Sequence, residues 1–140
     1  QYNTKIKYNV STRTKGWSWR SKLLFKLMSN SFVNAKVDLT TTDLTTLYTT
    51  PSANVSLVKS ILVSNDSGSS CNIDVTLVDA SSNIFSLFKT KAIDTNTTTE
   101  LLTQPLVVQE SEILKVQASD ANELHVVASI LQIQPREVVS

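Results

Sequence analysis

From Phe32 to Ile133 the chain is written in short runs whose apolar and polar residues alternate, separated by clusters of Ser, Asn and Asp. A period of two marks an extended strand with one face turned to a core, because successive side chains point to opposite sides of a pleated backbone. The longest run sets Val55, Leu57, Lys59, Ile61 and Val63 against Ser56, Val58, Ser60, Leu62 and Ser64. It reads as a strand with one strongly buried face. Asn65-Asp66-Ser67-Gly68-Ser69-Ser70 then has turn composition. In the run after it, Ile73, Val75 and Leu77 share one side, opposite Asp74 and Thr76. The two runs are expected to pair as a hairpin.

Further strands are predicted at Ala35–Leu39, Thr45–Thr50, Ile84–Phe88, Thr98–Leu102, Leu106–Val108 and Glu112–Ala118. The last run, Leu124–Ile133, is apolar on both sides in its middle and suits a central strand. About nine short strands at regular spacing, with no 3.6-residue period and no βαβ alternation, predict an all-β fold. The expected form is a two-sheet antiparallel sandwich, jelly-roll or Ig-like. A chain of 140 residues can bury a conventional core for one such domain. Thr supplies β-branched residues for pleated surfaces, while Ser and Asn supply turns. The glycines are only Gly16 and Gly68, so turns that need a left-handed residue are expected to use Asn or Asp. Pro51 and Pro105 are expected at strand starts. The five-residue period across Asp38–Leu47 has only two units, which fits a strand, a turn and a second strand better than a solenoid.

The single cysteine, Cys71, excludes a disulfide-stapled scaffold and fits a reducing compartment. No apolar run approaches the ~20 residues that span a bilayer, so no membrane partner is expected. Net charge is +1, but it is split unevenly: residues 1–27 carry seven Lys and Arg and no acid, and the remaining residues carry all 12 acids. This break divides the chain into a basic extension at 1–27, disordered or non-native, a β-sandwich domain at 28–134 and a tail at 135–140. Four readings of the extension stay open. Met28 is the initiator and residues 1–27 are upstream sequence; or they form an unstructured arm; or an arm binding nucleic acid through Tyr8, Trp17 and Trp19 among its bases; or a cleaved transit peptide. Nucleic acid contact is expected only through these residues, and a chain starting at Met28 is expected to fold by itself.

Candidate chemistry is sparse. His125 is the only histidine and is read as a sheet-face or core residue with a hydrogen bond, since a metal would need partners that the spacing does not supply. Cys71 borders a turn with no neighbouring base and is read as inert, and a Cys71/His125 nucleophilic pair is the weaker alternative. Glu110 and Glu112 would project to one face of an extended chain, as acid/base pairs and Ca²⁺ ligands do, but they read as solvated residues at a strand start. Asp120 and Glu123, flanking a turn, read the same way. The sequons at Asn9, Asn54, Asn65 and Asn96 are expected by chance in so Asn-, Ser- and Thr-rich a chain. No catalytic, cofactor-binding or metal residue is assigned, and no enzyme activity is expected.

Four stretches, Val58–Gly68, Phe85–Ala92, Thr97–Leu106 and Leu124–Ser129, resemble small virion structural proteins of tailed bacteriophages, particularly phages of marine bacteria. The resemblance covers about residues 28–134 and begins at Met28-Ser29-Asn30-Ser31, which looks like that family's start; residues 1–27 depart from it. It implies a β-sandwich component of the particle, a decoration, neck or tail-associated subunit. Its partners would be other virion proteins and copies of itself, and it would sit in the virion after assembly in the host cytoplasm. It carries over no catalytic residue. A receptor- or carbohydrate-binding sandwich is the alternative, weakened because residues 28–140 hold no Trp and a single Tyr, Tyr48.

Overall fold

The structure is a computed structural model and describes residues 30–134. Nine strands follow in order: β1 (Asn30–Leu39), β2 (Thr45–Thr49), β3 (Val55–Asn65), β4 (Cys71–Val78), β5 (Ile84–Ile93), β6 (Thr97–Glu100), β7 (Leu106–Val108), β8 (Ile113–Ala118) and β9 (Leu124–Ile133). Every pairing is antiparallel. The first sheet runs β1-β9-β3, with β6 and β7 both on the far side of β3, and the second runs β2-β8-β4-β5. Because β6 pairs with Leu62–Asn65 and β7 with Ser56–Val58, the two share one strand position. The sandwich therefore has eight positions. Wound in this order they make a jelly roll, which selects one of the two sandwiches expected from the sequence.

The core lies between the sheets. Leu39, Val58, Ile61, Val63, Val108, Leu124, Val126, Ala128 and Ile130 enter it from the first sheet, and Leu47, Cys71, Ile73, Val75, Ile93, Leu114, Val116 and Ala118 from the second. Burying each of the larger aliphatic side chains contributes about 1.5–3 kcal/mol. As expected, β9 is central, lying between β1 and β3.

Several local expectations are corrected. β3 and β4 do not form a hairpin: they belong to opposite sheets, and residues 66–70 carry the chain from one to the other. Each strand has an apolar face that needs a cover. Side-by-side pairing would leave both faces bare, whereas opposite layers place Ile61, Val63, Ile73 and Val75 in one core. The alternation along β3 also changes phase. Its register against β9 shifts between Val58 and Ser60, a bulge centred on exposed Lys59, so Ser56 and Val58 point inward before it and Ile61 and Val63 after it. One extra residue reverses the facing of everything that follows.

The left-handed positions are Ala53, Ser82, Thr90, Asn96, Ser111 and Asn122; only two are Asn and none is Asp. Tertiary hydrogen bonds hold most of them. The N–H of Ala53 donates to Glu110 Oε2 (2.9 Å), that of Thr90 to Asp74 Oδ1 (2.6 Å), that of Ser111 to the Thr50 carbonyl (3.1 Å) and that of Asn122 to the Leu39 carbonyl (2.9 Å). Pro105 does precede β7, but Pro51 lies in the β2–β3 connection. The readings of residues 1–27 and of the tail concern residues outside those described.

Candidate functional site

His125 projects from the outer face of the first sheet. Its Nδ1 lies 3.3 Å from Asp38 Oδ1 on β1, and its Nε2 lies 3.3 Å from Asp66 Oδ2 in the β3–β4 connection. A neutral imidazole donates from one nitrogen only, so this two-sided arrangement is fully used by the imidazolium form. All three side chains are substantially exposed, and such pairs contribute at most about 1 kcal/mol. The expected sheet-face histidine is therefore present, with a second carboxylate that its strand position did not reveal.

Cys71 points the other way. It is 1% exposed and enters the core from the second sheet. Its Sγ lies 3.5 Å from Ser119 Oγ and 3.7 and 3.9 Å from the carbonyls of Asn72 and Asp120. The structure does not bring Cys71 and His125 together as a nucleophilic pair. It does bring Cys71 beside Asp120 and Glu123, with one donor atom of each within 4.8 Å of the others. Sulfur with two carboxylate oxygens is a composition that a zinc ion accepts, although structural zinc sites use four ligands. Asp120 Oδ2 already accepts from the Ser119 hydroxyl (2.8 Å). Glu123 is not the solvated residue expected: its Oε2 is buried with no hydrogen-bond partner.

Glu110 and Glu112 do not share a strand face. They flank left-handed Ser111 in the β7–β8 turn, where Glu110 accepts from Ala53 N–H and Glu112 Oε1 accepts from Gln109 N–H (2.7 Å). Both carboxylates are used to hold backbone. On the outer face of the second sheet, Thr42, Asn72, Asp74, Thr90, Gln117 and Ser119 line an open polar hollow of about 310 Å³. Among the described residues no helix is long and apolar enough to cross a membrane.

The residue that sequence reasoning missed is Glu100. Between β6 and β7 the edge of the first sheet is interrupted, leaving Ser60 and Ile61 without a partner strand on that side. Glu100 ends β6 and fills the gap. Its carboxylate accepts from the Ser60 hydroxyl, from Ile61 N–H (2.8 Å) and from Leu102 N–H (3.1 Å), while Leu101 N–H donates to the Ile61 carbonyl (2.9 Å). No local pattern announces the contact with β3, because Ser60 and Ile61 lie about forty positions away in the chain.

Burial pushes the Glu100 carboxyl up, but the bonds from Ser60, Ile61 and Leu102 outweigh it and hold the group below its ordinary value of 4.5. The linked stability is therefore present above the unfolded-state value and is lost as pH falls through the lower folded-state value. Glu100→Gln is expected to cost about 1–2 kcal/mol at about pH 7, discounted for the exposure of this side chain. It should also flatten the loss of stability below the ordinary carboxylate range. Urea titrations of both proteins at neutral and acid pH check this, and an unchanged midpoint at neutral pH would count against the clasp.

No protein-family model matches the chain, and neither does any curated protein sequence. Solved structures do. A chain from the acidic stable capsid structure of Helicobacter pylori bacteriophage KHP30 superposes with a TM-score of 0.51 at 13% identity, over 81% of this chain and 95% of that one. A chain from the Bacillus endospore appendages, described as a novel family of disulfide-linked pili, superposes with a TM-score of 0.50 at 9% identity, over 76% of this chain and 87% of that one. At such identities the likeness is one of fold: a two-sheet, all-antiparallel β architecture shared with structural subunits of a phage capsid and of a pilus.

Proposed function

We propose that this chain is a non-enzymatic structural subunit of a bacteriophage particle, a decoration, neck or tail-associated component. In this reading residues 28–134 are the folded unit, which binds copies of itself and other virion proteins and resides in the virion after assembly in the host cytoplasm. The observation that carries it is the likeness of fold to the phage capsid chain, over 81% of this chain and 95% of that one. The strand edges are compatible with assembly. β2 and β6, which carry no Lys, Arg or Pro, stand at open sheet edges, and such edges accept partner strands.

Two details favour this reading over its rivals. Disulfide-linked assembly of the pilus kind would have to reach Cys71, the only cysteine here, which is sealed in the core. Among the described residues Tyr48 is the one Trp or Tyr that a sugar platform could use. Its hydroxyl is already engaged by Ser56 Oγ (2.7 Å) and Gln132 Nε2 (2.8 Å). Sedimentation velocity and electron microscopy of the full chain test the proposal. Discrete closed assemblies that grow with concentration are expected, and a clean monomer at high micromolar concentration would overturn the self-association it requires.

A further inference from the structure

The outer face of the first sheet is ordered in rows four strands wide. Phe32 of β1 stands opposite Leu131 of β9, Leu131 opposite Leu57 of β3, and Leu57 opposite Val107 of β7. Further along the strands, Lys36 stands opposite Val127, Val127 opposite Leu62, and Leu62 opposite Glu100 of β6. Residues directly opposed in antiparallel pairs project from the same face. Both rows point outward, because their neighbours Val33, Val37, Val58, Val63, Val126 and Ile130 turn into the core. Phe32, Leu62, Val107 and Val127 are four of the seven large apolar residues exposed among those described, so the exposed apolar surface is concentrated here. Such a patch marks an interaction surface. With strands ~4.8 Å apart and about nine residues long, the face measures about 19 Å by 30 Å. Two copies set face to face would bury roughly 1,100 Å² in all, enough for a specific interface.

The charges select the partner. The second row carries Lys36 at one end and Glu100 at the other, with two apolar side chains between them. Among the described residues Lys36 makes no ion pair. A second copy, turned over about a two-fold axis that lies in the face and runs parallel to the strands, brings its β6 and β7 over β1 and its β3 over β9. Lys36 then meets Glu100 of the other copy, and by symmetry the same pair forms twice. Val127 meets Leu62, while Phe32 and Leu131 meet Val107 and Leu57. The other charged groups of the face find neutral positions: Asp38 and His125 meet Thr98 and Ser64, and Lys59 at the bulge lies by Ser129. No like charges are opposed. An axis running across the strands would instead set Lys36 on Phe32 and Glu100 on Val107, stripping water from both charges without pairing them.

We propose that two copies of this chain pack face to face through the outer surfaces of their first sheets, about a two-fold axis parallel to the strands, with Lys36 of each against Glu100 of the other. The contact is isologous, with the apolar rows at its centre and the charges at its rim. It rests on the self-association in the particle reading above and names one surface that performs it.

Sedimentation of the full chain across a range of concentrations tests this, and a dimer is the expected smallest associated species. Phe32→Ser and Val107→Ser, at exposed positions, should each raise its dissociation constant about tenfold while the cooperative melt is retained. Lys36→Glu should weaken it in the same direction by opposing two acids. Thr98 supplies a test of the axis, because it would face Asp38 of the other copy: Thr98→Lys should tighten the dimer and Thr98→Glu loosen it. Ile84→Ser, at an exposed apolar position on the second sheet, should change nothing. Association that ignores both the Phe32 and the Val107 substitution would overturn the contact and leave the particle reading standing. Some other occupant, a stretch of the chain outside the described residues or a different protein, would then hold this face. Weakening by those two substitutions without opposite effects of Lys and Glu at position 98 would overturn the two-fold arrangement. A clean monomer at high micromolar concentration would overturn this contact together with the self-association it rests on.

Discussion

Ile61→Asp and Val75→Asp are each expected to abolish the cooperative unfolding transition at neutral pH. Both side chains are fully buried, one on each sheet, and both face the same core. A carboxylate there has no basic partner among the core residues, and burying an unpaired charge costs several kcal/mol even after local relaxation. That is comparable with the whole stability of a domain this size, about 5–15 kcal/mol. Asn34→Asp, at an exposed site on β1, is the matched control and should change stability by about 0.5 kcal/mol or less. Ser60 would be a poor control despite its place beside Ile61, because its hydroxyl donates to Glu100 and a carboxylate there would meet another. Thermal melts followed by circular dichroism distinguish the outcomes. A near-native transition in either buried variant would mean that the facing of β3 or β4 is wrong.

Asn65→Leu is expected to lower stability by about 3 kcal/mol, because it strands several partners at once. Asn65 ends β3 where the chain leaves the first sheet, and it is 1% exposed. Its Nδ2 donates to the carbonyls of Ser69 (2.7 Å) and Ile93 (3.1 Å), and its Oδ1 accepts from Ser67 N–H (2.9 Å) and the Ser67 hydroxyl (2.8 Å). One amide thus shapes the crossing loop and ties it to the end of β5 in the opposite sheet. Asn65→Asp should do no better, since it keeps the acceptor, removes the donors and buries a charge. By contrast Gly68→Ala should be nearly neutral. No glycine among the described residues has a positive φ, and a Cβ at Gly68 meets nothing within 4 Å. Guanidinium titrations would show the Asn65→Leu effect as a lower midpoint at unchanged slope. A larger loss from Gly68→Ala than from Asn65→Leu would mean that backbone freedom, not the Asn65 amide, shapes this loop.

The functional reading was legible only in part. His125 could be placed on a sheet because its strand was evident, but its two carboxylate neighbours come from β1 and from the β3–β4 connection. Glu110 and Glu112 were visible as neighbouring acids, yet their use as backbone clamps depends on a left-handed Ser111 that no residue preference announces. Glu123, expected in solvent, has a buried oxygen because the β8–β9 turn packs beside Cys71.

What the sequence determined by itself is the class of structure: nine strands, their approximate limits, an antiparallel sandwich, and the central place of Leu124–Ile133. Those follow from side-chain alternation and turn composition, which act within a few residues and survive in any strand arrangement. Tertiary structure decided which sheet each strand joined, and with it the separation of β3 from β4, the shared position of β6 and β7, and the reversal of facing at Lys59. The reason is one of range. A strand's apolar face requires a cover but does not specify which one, and that choice is made by closing two four-position layers over a single core, with Asn65 and Glu100 satisfying the backbone where the winding leaves it bare.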